Sequence, residues 1–241
     1  MAGCLPNDES SLPTLTPPPA ITDLPTATID WFPATATPTK LKPSPESATA
    51  TPEFYLHGEL ILKDDFSDET LWQTQNKADA KVSFEPNALS VAISGNGAEA
   101  QSISQHILES DFFLEITIEA ALCSKGDQYG IIFWRYSDSG TYRLWLNCQG
   151  QITVELVTPE LTTRLTKWET ARKFVPNSPA SNVIGIRANN GLLDIFINQS
   201  YQFSLHTRND LKGALGVIAR AAGNADLTIR VSDLIISKPE P

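Results

Sequence analysis

The chain has 241 residues, 41% of them hydrophobic, enough for one sizeable core. Its 18 Lys+Arg stand against 28 Asp+Glu, a formal net charge of −10, with no basic block to offset the balance. Such a surface repels phosphate backbones and anionic lipid heads, which argues against nucleic acid as a partner and against electrostatic docking on a membrane. No apolar run approaches the ~18 residues that span a bilayer.

In chain order the first feature is Met1-Ala2-Gly3-Cys4. An apolar residue and two small ones before a cysteine resemble the lipobox of bacterial lipoproteins, in which that cysteine is diacylated. Between Pro6 and Pro52 lie 11 of the 17 prolines, mixed with Thr, Ala and Ser. Proline removes backbone donors and fixes φ, and its neighbours bring little to bury, so residues 1–57 are expected to be a disordered, partly polyproline-like stalk. At about 3.1 Å per residue it reaches on the order of 150 Å at most. A spacer directly after a lipidated cysteine suits a domain held off a membrane. Cys4 is therefore the expected lipidation site, with membrane contact only through that anchor and an extracytoplasmic location at a bacterial cell membrane. Trp31 and Phe32 interrupt the stalk and read as isolated linker aromatics rather than a docking motif.

From residue 58 to 241 the pattern changes to short alternating segments separated by turn residues. Strands are predicted at Glu59–Phe66, Lys81–Glu85, Leu89–Ser94, Gln101–Ser104, Phe112–Leu122, Tyr129–Tyr136, Thr141–Cys148, Ile152–Thr158, Thr162–Thr166, Asn182–Ala188, Leu192–Asn198, Tyr201–His206, Ala214–Ala221 and Leu227–Ser237. A short helical turn is predicted around Asp68–Trp72. Many short strands with no alternating helices predict an all-β sandwich or barrel.

Register can be read from the pattern. If 137–140 is a four-residue loop, Trp134 opposes Arg143 and Ile132 opposes Trp145 on one face. Phe133–Leu144, Ile131–Leu146 and Tyr129–Cys148 then form an apolar face toward the core. Carried forward, Ile152, Val154 and Leu156 stay inside and Glu155 falls beside Trp145. Carried backward, Leu114, Ile116, Ile118 and Ala120 point inward, and Glu115, Thr117 and Glu119 outward. Asn190-Gly191 marks a type I′ hairpin that pairs Ile186 with Ile195, Ile184 with Ile197, Ala188 with Leu193, and Arg187 with Asp194.

The strings GELILKDDFSDETLW, DQYGIIFWRYSDSGTYRLWL, NVIGIRANNGLLDIFINQ, GALGVIARAA and VSDLIIS resemble bacterial domains of the concanavalin A-like lectin/glucanase type, near the laminin-G and DUF1080-like branches. The resemblance covers roughly Gly58–Lys238. It implies a jelly-roll β-sandwich of two antiparallel sheets, one convex and one concave, with the first and last strands paired.

Glycosidases of this type carry E-x-D-x-E on a concave-face strand. The nearest string here is Glu115-Ile-Thr-Ile-Glu119, with Thr117 in place of the central acid. Glutamates alternating with isoleucines are the ordinary pattern of a solvated strand face, so Glu115 and Glu119 are weak catalytic candidates. Lectin-like domains often bind calcium through Asp and loop carbonyls, which makes Asp64, Asp65 and Asp127 candidate ligands; no other cofactor is expected. The favoured site is the outward face of the central hairpins, where Trp134, Tyr136 and Trp145 stand beside Arg143 and Glu155. Sugar rings stack on such plates while their hydroxyls bond to the polar forks. Trp134 opposite Arg143 is equally readable as a cation–π pair that merely covers the sheet.

A non-catalytic binding module for a glycan or a cell-surface protein, acting as a monomer, is thus expected. A glycoside hydrolase of the same fold and a stalked scaffold or sensor are the alternatives. An oxidising setting would permit Cys123 and Cys148 to pair. The register, however, sets them about 9.6 Å apart on strands one and three of a set, beyond the ~7 Å limit, so pairing requires loop distortion or another strand order.

Overall fold

The computed structural model describes residues 57–95, 97–136, 140–223 and 225–240. Cys4, the Pro/Thr-rich stalk, the Trp31–Phe32 pair and residues 137–139 of the central loop lie outside the described residues. The described residues belong to the compact unit Thr51–Pro241.

In chain order the strands are β1 (His57–Asp64), β2 (Gln75–Asn76), β3 (Ala80–Glu85), β4 (Ala88–Ile93), β5 (Glu99–Leu108), β6 (Phe112–Leu122), β7 (Gln128–Tyr136), β8 (Gly140–Asn147), β9 (Gln151–Val157), β10 (Thr162–Arg164), β11 (Glu169–Thr170), β12 (Ala180–Asn189), β13 (Leu192–Ile197), β14 (Ser200–His206), β15 (Gly213–Arg220) and β16 (Leu227–Pro239). The helical turn is a single 3-10 turn, Glu69–Leu71, whose preceding Asp68 accepts the Thr70 N–H. β2 and β11 were not predicted; two residues are too few to show an alternation.

Two antiparallel sheets form a jelly-roll β-sandwich. Nine strands run β14-β13-β12-β6-β16-β4-β3-β2 with β1 beside β16, and seven run β10-β9-β8-β7-β15-β5 with β11 beside β9. First and last strands pair as expected, from His57 with Pro239 to Asp64 with Leu234. The alternating inward residues meet between the sheets. Ile116 and Ile118 of β6, Ile184 and Ile186 of β12, and Ile195 and Ile197 of β13 come from one sheet; Ile131, Leu144 and Val154 come from the other. All are fully buried, each contributing about 1.5–3 kcal/mol relative to an exposed position. The β12–β13 register is the predicted one throughout, with Asn190 and Gly191 at φ 49° and 74° as a type I′ turn requires.

Two expectations are corrected. β6 does not pair with β7; it lies in the nine-stranded sheet between β12 and β16. The β7–β8 register is also shifted by two residues. Ile132, not Trp134, opposes Arg143, Gly130 opposes Trp145, and an irregularity between Phe133 and Tyr136 absorbs the difference. A two-residue shift preserves the faces, so the core assignments of Ile131, Phe133, Leu144 and Leu146 hold.

The DDFS segment ties the two sheets together. Asp64, at the end of β1, accepts hydrogen bonds from the Phe66 N–H at 2.8 Å and from Trp72 Nε1 at 2.8 Å, and it pairs with His106 Nε2 of β5 at 2.9 Å. Burial alone would push the Asp64 carboxyl up, but these hydrogen bonds and the His106 charge outweigh it and hold the group below the usual carboxylate range. A depressed carboxylate contributes stability above its unfolded value, near ~3.9, that is lost as pH falls through its folded value. Asp64→Asn should therefore lower the urea midpoint at pH 7, and the deficit relative to wild type should shrink below about pH 4. A deficit that stays constant down to pH 2 would refute the role.

Candidate functional site

On the seven-stranded sheet, the residues that alternate with the core-facing set form a second, outer layer. Ile103 of β5, Ile132 of β7, Trp145 of β8 and Ile218 of β15 make an apolar floor, against which Trp168 and Ala214 pack. Gly130 lies opposite Trp145, and a Cβ there would overlap the Leu144 carbonyl oxygen, so only glycine fits the position.

Polar groups are fastened to this floor in an ordered way. Glu155 accepts the Trp145 Nε1–H on Oε2 at 2.9 Å and Arg164 Nη2 on Oε1 at 3.1 Å. The Arg220 guanidinium sits 4.9 Å from the centre of the Trp145 ring and donates from Nε and Nη2 to Glu99 Oε2 at 3.0 and 2.6 Å. Arg164 lies 5.8 Å from the centre of the Trp168 ring. Arg143, directly opposite Glu155 in the ladder, keeps a buried Nε with no hydrogen-bond partner.

Of the five residues expected to bind ligand, Arg143, Trp145 and Glu155 share this outer face. Trp134 does not. It takes φ 48° at the β7 irregularity, which turns its ring to the core side together with Phe133. There it is fully buried against Phe112, Phe133 and Tyr142, and its Nε1–H donates to the Glu109 carbonyl at 2.8 Å. The Tyr136 side chain lies outside the described residues. Trp145 is on the predicted face but is fully buried under Arg220, so it is a floor and not an open plate. Arg164, Trp168, Arg220 and Glu99 were missed. Arg220 was readable, since it alternates outward from Leu215, Val217 and Ala219; Trp168 lies outside any alternating run and gave no signal. Among the described residues, depressions of about 250, 410, 420 and 680 Å³ are lined by other side chains.

Glu115 and Glu119 sit on the outer face of the nine-stranded sheet, on the opposite side of the sandwich from Arg143 and Glu155. β12 pairs with β6 without a register shift from Phe112 to Ala120. The two glutamates are thus four residues apart on a regular strand, about 13 Å between Cα atoms. Glycosidase carboxylates stand ~5–5.5 Å apart when retaining and ~6.5–9.5 Å apart when inverting.

The calcium candidates do not gather into a shell. Asp64 is engaged as described, and Asp65 Oδ1 accepts the Ser67 N–H at 3.0 Å. The buried Asp127 carboxylate accepts the Ser124 N–H at 2.7 Å and the Ala222 N–H at 2.9 Å. Among the described residues, the one grouping of three ligating side chains is Cys123, Asp127 and Cys148. Its sulfurs are joined in a disulfide, with Cα atoms 5.9 Å apart. Placing β6 in the other sheet explains why the sequence-derived separation was too long: the bridge crosses between sheets instead of spanning two strands of one.

No protein-family model and no curated relative matches the sequence. Solved structures do match. The carbohydrate binding module CBM66 from Bacillus subtilis has a TM-score of 0.55 at 12% identity, covering 69% of this chain and 95% of that one. A β-glucanase of Bacillus licheniformis has a TM-score of 0.57 at 6% identity, covering 75% and 99%. The laminarinase catalytic domain from Thermotoga maritima has a TM-score of 0.57 at 8% identity, covering 76% and 99%. The fold is concanavalin A-like. At these identities the likeness is one of fold, and this concanavalin A-like jelly roll serves a binding module and hydrolases alike, so the choice between them rests on the side chains.

Proposed function

We propose that this chain is a non-catalytic, membrane-tethered extracytoplasmic module that binds glycans on the outer face of its seven-stranded sheet. The carrying observation is the set of guanidinium and carboxylate groups held in place over the Ile103, Ile132, Trp145 and Ile218 floor. Forks fixed by the sheet can meet sugar hydroxyls without further ordering, and the half-buried Trp168 offers an aromatic surface to a sugar C–H face. The opposed placement and spacing of Glu115 and Glu119 speak for binding over hydrolysis at that strand. Cys4 ahead of the Pro/Thr spacer, and a disulfide of the kind that persists in oxidising compartments, support the tether and its location.

The full chain on a glycan array should retain at least one glycan without releasing reducing ends from it, and Cys4→Ser should leave the membrane fraction of the producing cell. Turnover of a retained glycan would establish the hydrolase reading. A blank array with a captured protein partner would establish the scaffold reading.

A further inference from the structure

Arg143 is a guanidinium of the outer floor that no carboxylate neutralises among the described residues, and it differs from the exposed Arg135 on the same face in having a buried, unpartnered Nε. Its ladder neighbour on β9 is Glu155, but both oxygens of Glu155 are taken, one by Arg164 and one by Trp145. Its neighbour on β7 is Ile132, and Glu99 is held by Arg220. Arg164 and Arg220 are paired with Glu155 and Glu99, while Arg143 and the exposed Arg135, which opposes Ala214 of the floor, are not, so this floor is locally cationic on a chain of net charge −10. Arg143 is only partly buried as a residue, while its Nε is out of solvent and unpaired. A guanidinium that is partly desolvated and uncompensated is costly, and the group that relieves it best is an oxyanion matching its planar fork.

From this we infer that the glycan held by this face is acidic, carrying a carboxylate or sulfate group that pairs with Arg143. The inference rests on the glycan-binding proposal and narrows its ligand class. Arg164 acts as a positioning residue: by engaging Glu155 Oε1, it keeps the carboxylate opposite Arg143 from closing on that guanidinium. The overall negative charge makes indiscriminate retention of polyanions unfavourable, so binding of one would report a local site.

The test is affinity electrophoresis of the full chain against polygalacturonate, dextran sulfate and neutral dextran, beside the array. Retention is expected on polygalacturonate or dextran sulfate, which separates a carboxylate from a sulfate partner, and not on neutral dextran. Arg143→Gln should weaken that retention at least tenfold, about 1.4 kcal/mol, with a melting temperature no lower than that of the wild type. Arg143→Lys, which keeps charge but loses the fork, should weaken it by a smaller factor, and this variant serves if the glutamine form does not fold. Arg164→Gln should weaken retention severalfold, and adding Glu155→Gln should restore it. Neutral glycans retained alone, or acidic ones retained equally by the Arg143 variants, would overturn the inference and leave the glycan-binding proposal standing. No retention of any glycan would overturn both.

Discussion

Replacing Trp134 with alanine is expected to destabilise the fold by about 3–5 kcal/mol, the range for deleting a fully buried aromatic side chain. The ring fills the space between Phe112, Phe133 and Tyr142, with centroids 5.4 to 5.6 Å away. Its loss also strands the Glu109 carbonyl that accepts Nε1–H. Against a typical domain stability of ~5–15 kcal/mol this is a large share, visible as a lower urea midpoint at unchanged m. Trp134→Phe, which keeps most of the packing and drops the hydrogen bond, should cost less than half as much. An alanine variant as stable as wild type would mean that the ring lies outside the core after all. Trp134 and Trp145 thus separate cleanly: the former belongs to the sandwich interior, the latter to the opposite side of the same sheet.

Breaking the Cys123–Cys148 bridge is expected to cost about 3.5 kcal/mol, the chain-entropy estimate for a cross-link closing a loop of this size; the sequence separation is 25. The purified full chain should show the loss as a drop in urea midpoint on adding dithiothreitol, reproduced by Cys123→Ala/Cys148→Ala without reductant. Alkylation in denaturant without reductant should leave these two sulfurs unmodified. Labelling of both would refute the bridge. Removing only one of the two would add a free thiol next to the buried Asp127 carboxylate, so the double variant is the cleaner comparison.

Strand positions and facings were legible because period-2 alternation is strong where one face is buried. Phe112–Leu122 was read to the residue, and the Asn190-Gly191 turn set every pair of its hairpin. Alternation states which side of a strand is inside without stating which sheet the strand joins. For that reason β6 was assigned to the wrong neighbours and the cysteine distance came out too long. The irregularity in β7 left no trace because a bulky tryptophan at positive φ has no sequence marker comparable to Asn-Gly, and one residue out of phase turned the best aromatic candidate inward. Arg143 and Glu155 survived on their face since a two-residue shift leaves facing unchanged. Arg164, at the end of β10, faces Glu155 in the β9–β10 ladder and could have been found by carrying the register one hairpin further, whereas Trp168 reaches the floor from the chain between β10 and β11, where no alternation marks it.

The clamp at Asp64 acquires a mechanical meaning if the domain is anchored from its N-terminal side and loaded through a ligand on the seven-stranded sheet. Tension then enters along β1, which belongs to the nine-stranded sheet, and must cross to the sheet that carries the load. Two direct crossings are the Asp64–His106 pair into β5 and the Cys123–Cys148 bond between the ends of β6 and β8. One is a hydrogen-bonded pair that acid weakens and the other is covalent, so the resistance of the two sheets to being pulled apart would fall in two steps, the first set by protons and the second by reductant.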